Sequence, residues 1–225
     1  MAEPPAVDAA SVAREADRLR ALIDERSPHA DAVRVVAVTK GFGPDAVAAA
    51  VGAGLTELGE NYADELVAKA GAAAGAPTGI RWHFLGAVQR NKVARLAPWV
   101  SCWQGLARPE EGRAIAARRP GATVLVQVDV AGLPGRGGCA PTAVPALVEA
   151  LRGEALEVAG LMAVAPPGPP EAARPGFREV VGLADRLDLP VRSLGMSDDL
   201  AVALEEGSTM VRVGRRLFGD RPPRP

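Results

Sequence analysis

The sequence contains little lysine, cysteine or histidine. Only three of its 26 basic residues are lysines, Lys40, Lys69 and Lys92, and the other 23 are arginines. The two cysteines, Cys102 and Cys139, provide neither a disulfide framework nor a metal-binding spacing. The two histidines lie far apart in the sequence, which argues against a zinc site. We therefore expect no metal, and a chain with little generic need for lysine.

Long apolar runs and a strong charge of one sign are also missing. No apolar segment approaches the length of about 18 residues that spans a bilayer, and the N-terminus lacks the basic start and apolar core of a signal peptide. The net charge of -1 argues against a nucleic-acid partner. We expect one soluble, cytoplasmic, monomeric domain over residues 1–225, with about 1–6 and 222–225 disordered.

Short β-branched runs alternate with helical patterns along the chain. The predicted strands are Val33–Lys40, Thr56–Leu58, Arg81–Leu85, Trp99–Trp103, Thr123–Val130, Leu156–Met162, Val191–Leu194 and Met210–Val213. An opening helix is predicted over Val7–Glu25, and each strand is followed by a helix or a helical end piece. Regular alternation of this kind implies parallel strands joined by crossovers. Eight units in a chain of this length favour an α/β fold with a single (β/α)8 TIM barrel, and an open doubly wound sheet is the alternative.

The carboxyl ends of barrel strands are where chemistry collects. Lys40 closes the first predicted strand, where partial desolvation favours a neutral amine that can attack a carbonyl. Arg212 alternates with two valines in the last strand, which places its guanidinium in the lumen, an expensive position without a partner or a function. Lys69, in contrast, is interpreted as a surface charge on a polar helix face.

The ends of the last two predicted strands also suit a phosphate group. Ser197 precedes a predicted helix that begins with Asp198, so its hydroxyl and the free amides of that turn could hold an anion. Gly214 lets the backbone approach a phosphate closely. Ser197 is equally interpretable as an ordinary helix N-cap, and His83 as a hydrogen-bonded core histidine.

Several segments in these positions resemble the pyridoxal phosphate homeostasis protein family (YggS/PROSC-type). They cover nearly the whole chain, from about residue 10 to 221, and the last is highly specific. The segments are Val36–Lys40, Gly59–Tyr62, Trp82–Gly86 with Asn91 and Lys92, Gly160–Met162, and Gly195–Leu200 continuing to Gly207–Gly214 and Phe218–Gly219. The resemblance implies one barrel similar to the N-terminal domain of alanine racemases, with pyridoxal 5′-phosphate (PLP) as the cofactor.

The resemblance also assigns the cofactor-binding residues. Lys40 would form the Schiff base, Arg212 would face the pyridine nitrogen, and Ser197 with the amides around Gly214 and Arg215 would hold the phosphate. Asn61, His83 and Met196 would line the pocket. This chain has Arg215 where the family usually has threonine, Ala87 and Arg90 in place of proline and serine, and Asp129 and Arg136–Gly138 in a loop where the family has asparagine and Lys-x-Gly.

An arginine beside the pyridine nitrogen leaves that nitrogen unprotonated, which weakens the cofactor as an electron sink. In the alanine racemases a second base comes from a second domain, and we expect no such domain here. The predicted function is therefore intracellular PLP homeostasis, as a carrier or reservoir rather than an enzyme, with apo PLP-dependent enzymes as possible recipients. The alternatives are a slow amino-acid racemase that uses His83 or Tyr62 as second base, and a phosphate-binding barrel enzyme without PLP.

Overall fold

The computed structural model describes residues 7–75, 79–133, 135 and 137–221. The described residues form eight parallel strands in a closed barrel, ordered as in the sequence. The strands are β1 Arg34–Val38, β2 Glu57–Glu60, β3 Arg81–Phe84, β4 Val100–Leu106, β5 Thr123–Val128, β6 Glu157–Ala163, β7 Val191–Ser193 and β8 Met210–Val213. The helices are α1 Ala9–Arg26, α2 Pro44–Gly52, α3 Ala63–Ala73, α4 Arg90–Leu96, α5 Pro109–Ala116, α6 Val144–Gly153, α7 Arg174–Arg186, α8 Leu200–Glu205 and α9 Arg215–Phe218.

Pairing between β1 and β8 closes the barrel. Val36 lies opposite Arg212 in that pair, and Ala37 lies opposite Val213. The predicted (β/α)8 barrel is thus confirmed, and the open sheet is wrong. The predictions for residues 1–6, for residues 222–225 and for Arg136 fall outside the described residues.

Two elements differ from the prediction in ways that affect the functional region. Strand β4 continues past Trp103 to Leu106, because polar Gln104 and the following glycine remain in the sheet. Helix α8 begins at Leu200 rather than at Asp198. The preceding residues form a turn in which the amide of Met196 donates to Asp199 Oδ1 at 2.6 Å. This side-chain bond competes with helical backbone bonding, a common property of aspartate.

The larger part of the hydrophobic core lies between the strands and the surrounding helices. Helix α1 shows how the helices contribute, since Val12, Ala16, Leu19 and Ile23 recur at helical spacing and are all buried. This helix packs against α2, α8 and α9. No helix in the described ranges is both long and apolar enough to cross a membrane.

The barrel lumen is partly apolar and partly polar. A separate buried cluster contains Val36, Cys102, Leu125, Met162, Val191 and Met210. Met210 and Arg212 are two residues apart on β8, so they face the same side of the sheet. The lumen therefore contains both apolar side chains and a buried cation.

Candidate functional site

A cavity of about 630 Å³ opens at the carboxyl ends of the barrel strands. Its wall includes residues that follow β1, β2, β6, β7 and β8. Seven of the eight residues predicted to bind a cofactor line it, namely Lys40, Asn61, Met196, Ser197, Arg212, Gly214 and Arg215. Parallel strands all present their carboxyl ends at the same face, which explains why residues so distant in sequence meet here. Contact of each with a cofactor stays a prediction.

Asn61 offers an unused hydrogen-bonding group at the cavity wall. It lies directly after β2, and within the described part of the chain its buried Oδ1 atom has no hydrogen-bond partner. An unsatisfied buried amide is costly, so a polar ligand group in the cavity would relieve it. Because amide oxygen and nitrogen are assigned from their surroundings, Asn61 can serve as acceptor or donor to such a group.

The loops after β7 and β8 meet at another part of the cavity. The backbone amide of Arg216 donates to Ser197 Oγ at 3.4 Å. A Cβ atom on Gly214 would lie 3.1 Å from the carbonyl oxygen of Val38, so the absence of a side chain lets this loop pass close to the backbone of β1. Loops after the seventh and eighth strands are the usual phosphate site of such barrels.

Both positively and negatively charged side chains lie where the loops after β7 and β8 meet the cavity. The half-exposed Arg215 side chain forms an ion pair with Asp198, and both residues line the cavity. Burial raises the pKa of Asp199, although the amide of Met196 and the charge of Arg212 act to lower it. Arg215 therefore lies where its guanidinium could meet an anion, while Asp198 competes for it.

Arg212 is buried in the lumen, with 5% of its surface exposed. Its Nη1 atom donates to the carbonyl oxygen of Ser193 at 2.5 Å and to Ser193 Oγ at 2.7 Å, and its Nη2 atom donates to the carbonyl oxygen of Ala163 at 2.7 Å. Burial lowers the pKa of Arg212 to about 10, and the negative charge of Asp199 acts in the opposite direction. The group remains a cation at neutral pH, held mainly by neutral acceptors.

His83 is not among the residues that line the cavity, and its predicted contact with a cofactor stays a prediction. The side chain is fully buried in the lumen below Arg212, within a chain of polar groups. His83 Nε2 contacts Glu57 Oε2 in a short hydrogen bond, and its Nδ1 lies 2.7 Å from Gln104 Nε2. Ser193 Oγ donates to Gln104 Oε1 at 2.7 Å, which links the chain to Arg212. The alternative interpretation, a hydrogen-bonded core histidine, describes the geometry.

The two ends of this polar chain fix the direction of every hydrogen bond in it. A guanidinium can only donate, and an ionised carboxylate can only accept. Donation therefore runs from Arg212 through Ser193 and Gln104 to His83, whose Nε2 proton is donated to Glu57. Each interior group donates once and accepts once along the chain, which assigns His83 to the neutral Nε2–H tautomer.

Burial lowers the pKa of His83, and Glu57 opposes this effect only in part. For Glu57, burial acts to raise the pKa, but the hydrogen bond and charge of His83 together with Arg81 and Arg34 outweigh it, so the net pKa is lowered. A neutral buried histidine beside an ionised glutamate follows. In the unfolded chain the same histidine would bind a proton below its ordinary pKa.

We expect this difference to make folding stability depend on pH. Below about pH 6.5 the unfolded His83 binds a proton that the folded one does not, so the free energy of unfolding falls by up to about 1.4 kcal/mol per pH unit. Denaturant unfolding at about pH 7.5 and about pH 5.5 measures this slope. His83→Gln is expected to flatten it, whereas His29→Gln, which changes the other histidine, should retain it. An equal slope in both variants would contradict the assignment.

Sequence reasoning missed the supporting residues of the site. Gln104 lies beyond the predicted end of its strand. It shares one face of the strand with Cys102, while Trp103 lies on the other face, and this alternation was a signal for extending the strand. Ser193 and Glu57 lie inside predicted strands, but nothing local marks them as partners of Arg212 or His83. The interpretation of Lys69 as a surface charge is wrong, since it is buried with 6% of its surface exposed.

Comparison with known proteins agrees with this architecture. Residues 7–222 match the family model for the alanine racemase N-terminal domain. The pyridoxal phosphate homeostasis protein of Pseudomonas aeruginosa is 36% identical over 222 residues, covering 95% of each chain. That of Deinococcus radiodurans is 38% identical over 193 residues, covering 84% of this chain and 90% of its own. The structure of PipY from Synechococcus elongatus, solved with PLP bound, superposes with a TM-score of 0.77 at 27% identity, covering 91% of this chain and all of PipY. The chain therefore belongs to the pyridoxal phosphate homeostasis protein family and matches the alanine racemase N-terminal domain over residues 7–222.

Proposed function

We propose that this chain binds PLP in the cavity at the barrel mouth and takes part in PLP homeostasis as a carrier or reservoir. The names of its relatives and the PLP-bound PipY structure support the choice of ligand. The cavity supports it independently, because its wall combines an amine, a buried cation, an unsatisfied amide, and the hydroxyl and glycine of the loops after β7 and β8. PLP carries an aldehyde, a pyridine nitrogen and a phosphate, which need groups of these kinds.

In this proposal Lys40 holds the cofactor covalently. Its Nζ atom and the aldehyde carbon form a C=N bond with loss of one water molecule, so the step is reversible and needs no further reactant. Ser197 and the Gly214–Arg216 turn hold the phosphate, and Asn61 meets a polar group of the ring. Reversible capture suits a protein that limits the free concentration of a reactive aldehyde.

The position of Arg212 is the observation that carries the non-enzymatic half of the proposal. PLP supplies an electron sink for amino-acid chemistry when its pyridine nitrogen is protonated. The hydrogen bonds of Arg212 to Ser193 and Ala163 orient a donor-only cation at the cavity. Such a group favours the unprotonated nitrogen, so this chain would bind the cofactor without strongly activating it.

The geometry gives less support to a racemase. Neither His83 nor Tyr62 is among the cavity-lining residues, although these were the two candidates for a second base. His83 is moreover occupied on both ring nitrogens by Glu57 and Gln104. Racemisation would require a base on the opposite face of the substrate, at a distance that permits proton transfer.

Transfer and turnover assays test this proposal. The PLP-loaded protein, freed of unbound cofactor, is expected to reactivate an apo PLP-dependent aminotransferase in the presence of a scavenger of free PLP. When the same preparation is incubated with L-alanine or L-serine, it should form no more than one molecule of D-amino acid per protein molecule, which means that there is no turnover. Sustained racemisation that falls in Tyr62→Phe would establish the racemase instead. If the protein bound no added PLP, the result would favour the phosphate-binding barrel enzyme without PLP.

A further inference from the structure

The backbone on both sides of Lys40 is held by side chains from another part of the barrel. On the amino-terminal side, Lys69 Nζ donates to the carbonyl oxygen of Thr39 at 2.7 Å, and Thr39 Oγ1 donates to Glu60 Oε1 at 2.7 Å. On the carboxyl-terminal side, the amide of Gly41 donates to Glu65 Oε2 at 2.7 Å. Lys40 itself lines the cavity between these two attachments.

The three holding groups also bind one another. Lys69 Nζ lies 2.6 Å from Glu60 Oε1 and 3.5 Å from Glu65 Oε2. Lys69 and Glu65 are one turn apart on α3, and Glu60 is the last residue of β2. One ammonium group thus joins both carboxylates and the Thr39 carbonyl, so the two attachments of the Lys40 segment form one connected unit. We call Glu60, Glu65 and Lys69 the clamp.

The clamp buries charged groups, which costs free energy of folding, so stability alone does not explain it. Glu60 and Thr39 are fully buried, and in the described part of the chain the second oxygen of Glu60 has no hydrogen-bond partner. Burial raises the pKa of Glu60, while Lys69 and Thr39 act to lower it. Buried ion pairs are often no more stable than apolar residues of the same volume, whereas they do fix geometry. The charges of the clamp therefore suit a role in orientation.

The segment that carries Lys40 needs such orientation. Strand β1 ends at Val38, so Lys40 lies beyond the regular barrel ladder. Gly41 has φ of +78°, a left-handed conformation that turns the chain away immediately after the lysine. Without the clamp, the Thr39 carbonyl would keep its bond from the Phe42 amide at 3.1 Å but lose the bond from Lys69, and the Gly41 amide would lose its bond to Glu65.

We propose that Lys69, Glu60 and Glu65 are positioning residues that fix the Thr39–Gly41 backbone and thereby aim the Lys40 amine into the cavity. This inference rests on the proposed role of Lys40 as the covalent PLP attachment site. It gives the second lysine of the chain a defined function, because only a long cation can bridge the two carboxylates and the carbonyl at once. Lys69 itself does not line the cavity.

Four variants of the full chain test the clamp. Lys69→Met removes the cation at similar length, and Lys69→Arg retains it. Glu65→Ala removes the Gly41 attachment and the longer contact of Glu65 with Lys69. Lys92→Met is the matched control, since Lys92 lies on the neighbouring α4 and its side chain is 32% exposed. Glu65 is 31% exposed, so Glu65→Ala keeps the test valid if Lys69→Met does not fold.

Two measurements are made on each variant. Amide hydrogen exchange of the ligand-free protein reports local opening of residues 39–43, and hydride trapping followed by peptide mass spectrometry reports the rate of PLP capture on Lys40. In Lys69→Met and Glu65→Ala we expect exchange of this segment to rise and capture to slow, each by about tenfold, the effect of one hydrogen bond to a charged group. Lys69→Arg should recover part of both, and Lys92→Met should match the wild type.

The two measurements separate this inference from the proposed function. Wild-type exchange rates in Lys69→Met and Glu65→Ala would overturn the clamp, and faster exchange with unchanged capture would overturn its role in aiming Lys40. If the wild-type protein captured no PLP on Lys40, the proposed function would fail, and the exchange data alone would still decide whether the clamp fixes the segment.

Discussion

Replacing Lys40 with alanine is expected to abolish covalent capture of PLP. The wild-type protein, incubated with PLP and reduced with borohydride, should gain the mass of one reduced pyridoxyl phosphate group on the peptide that contains Lys40. An imine requires a primary amine, and Lys40 is the only lysine that lines the cavity among the residues described. Intact-protein and peptide mass spectrometry measure the outcome directly.

Lys92→Ala is the matched control for this experiment, because it removes a lysine from a surface helix and leaves the cavity unchanged. It should trap PLP as the wild type does. The Lys40→Ala protein should keep the wild-type unfolding midpoint, since Lys40 is only partly buried and lies beyond the end of its strand. Equal labelling of Lys40→Ala and wild type, or labelling of the wild type at another residue, would refute the assignment.

Gly160→Ala is expected to lower the free energy of unfolding strongly. Gly160 in β6 pairs with Val191 in β7. A Cβ atom at this position would lie 2.0 Å from the carbonyl oxygen of Val191 and 2.5 Å from its Cβ atom. The obstacle is the backbone of a neighbouring strand in a closed barrel, which cannot shift without disturbing its other pairings. We expect a loss of about 3 kcal/mol or more in the free energy of unfolding.

The same substitution at Gly71 provides the control. Gly71 lies in α3, and a Cβ atom there would meet nothing within 4 Å. Alanine is a better helix former than glycine, so Gly71→Ala should raise the free energy of unfolding by up to about 1 kcal/mol. Denaturant titration of both variants measures the contrast. A Gly160→Ala protein as stable as the wild type would contradict the close packing of Gly160 in β6 against Val191 in β7.

The closed barrel was predictable because its signals are local. Strands such as β1 and β5 appear in the sequence as β-branched runs, and helices such as α1 appear as periodic apolar patterns, so the alternation is visible without knowledge of the fold. Once the barrel is assumed, all strand ends meet at one face. That rule alone brings Lys40, Ser197 and Arg212 together, and the structure places all three at one cavity.

Which polar residues lie inside the lumen and which reach the cavity was not predictable from the sequence. His83 lies on a strand near its carboxyl end, just as Asn61 follows one, yet His83 faces Glu57 and Gln104 inside the barrel. Whether a residue reaches the mouth or stays in the lumen depends on the stagger between strands. Register shifts within the β3–β4 and β4–β5 pairs, beside His83 and Trp103, have no signal in the sequence.

The sequence by itself determined the fold class, the family and seven of the residues at the cavity, because these depend on local patterns and on strand ends. Only the tertiary structure decided what supports them. Lys69 is 29 positions from Lys40, and Gln104 is 89 positions from Ser193. Such contacts arise from the closure and register of the barrel, and the side chains alone do not indicate which polar groups will be buried together.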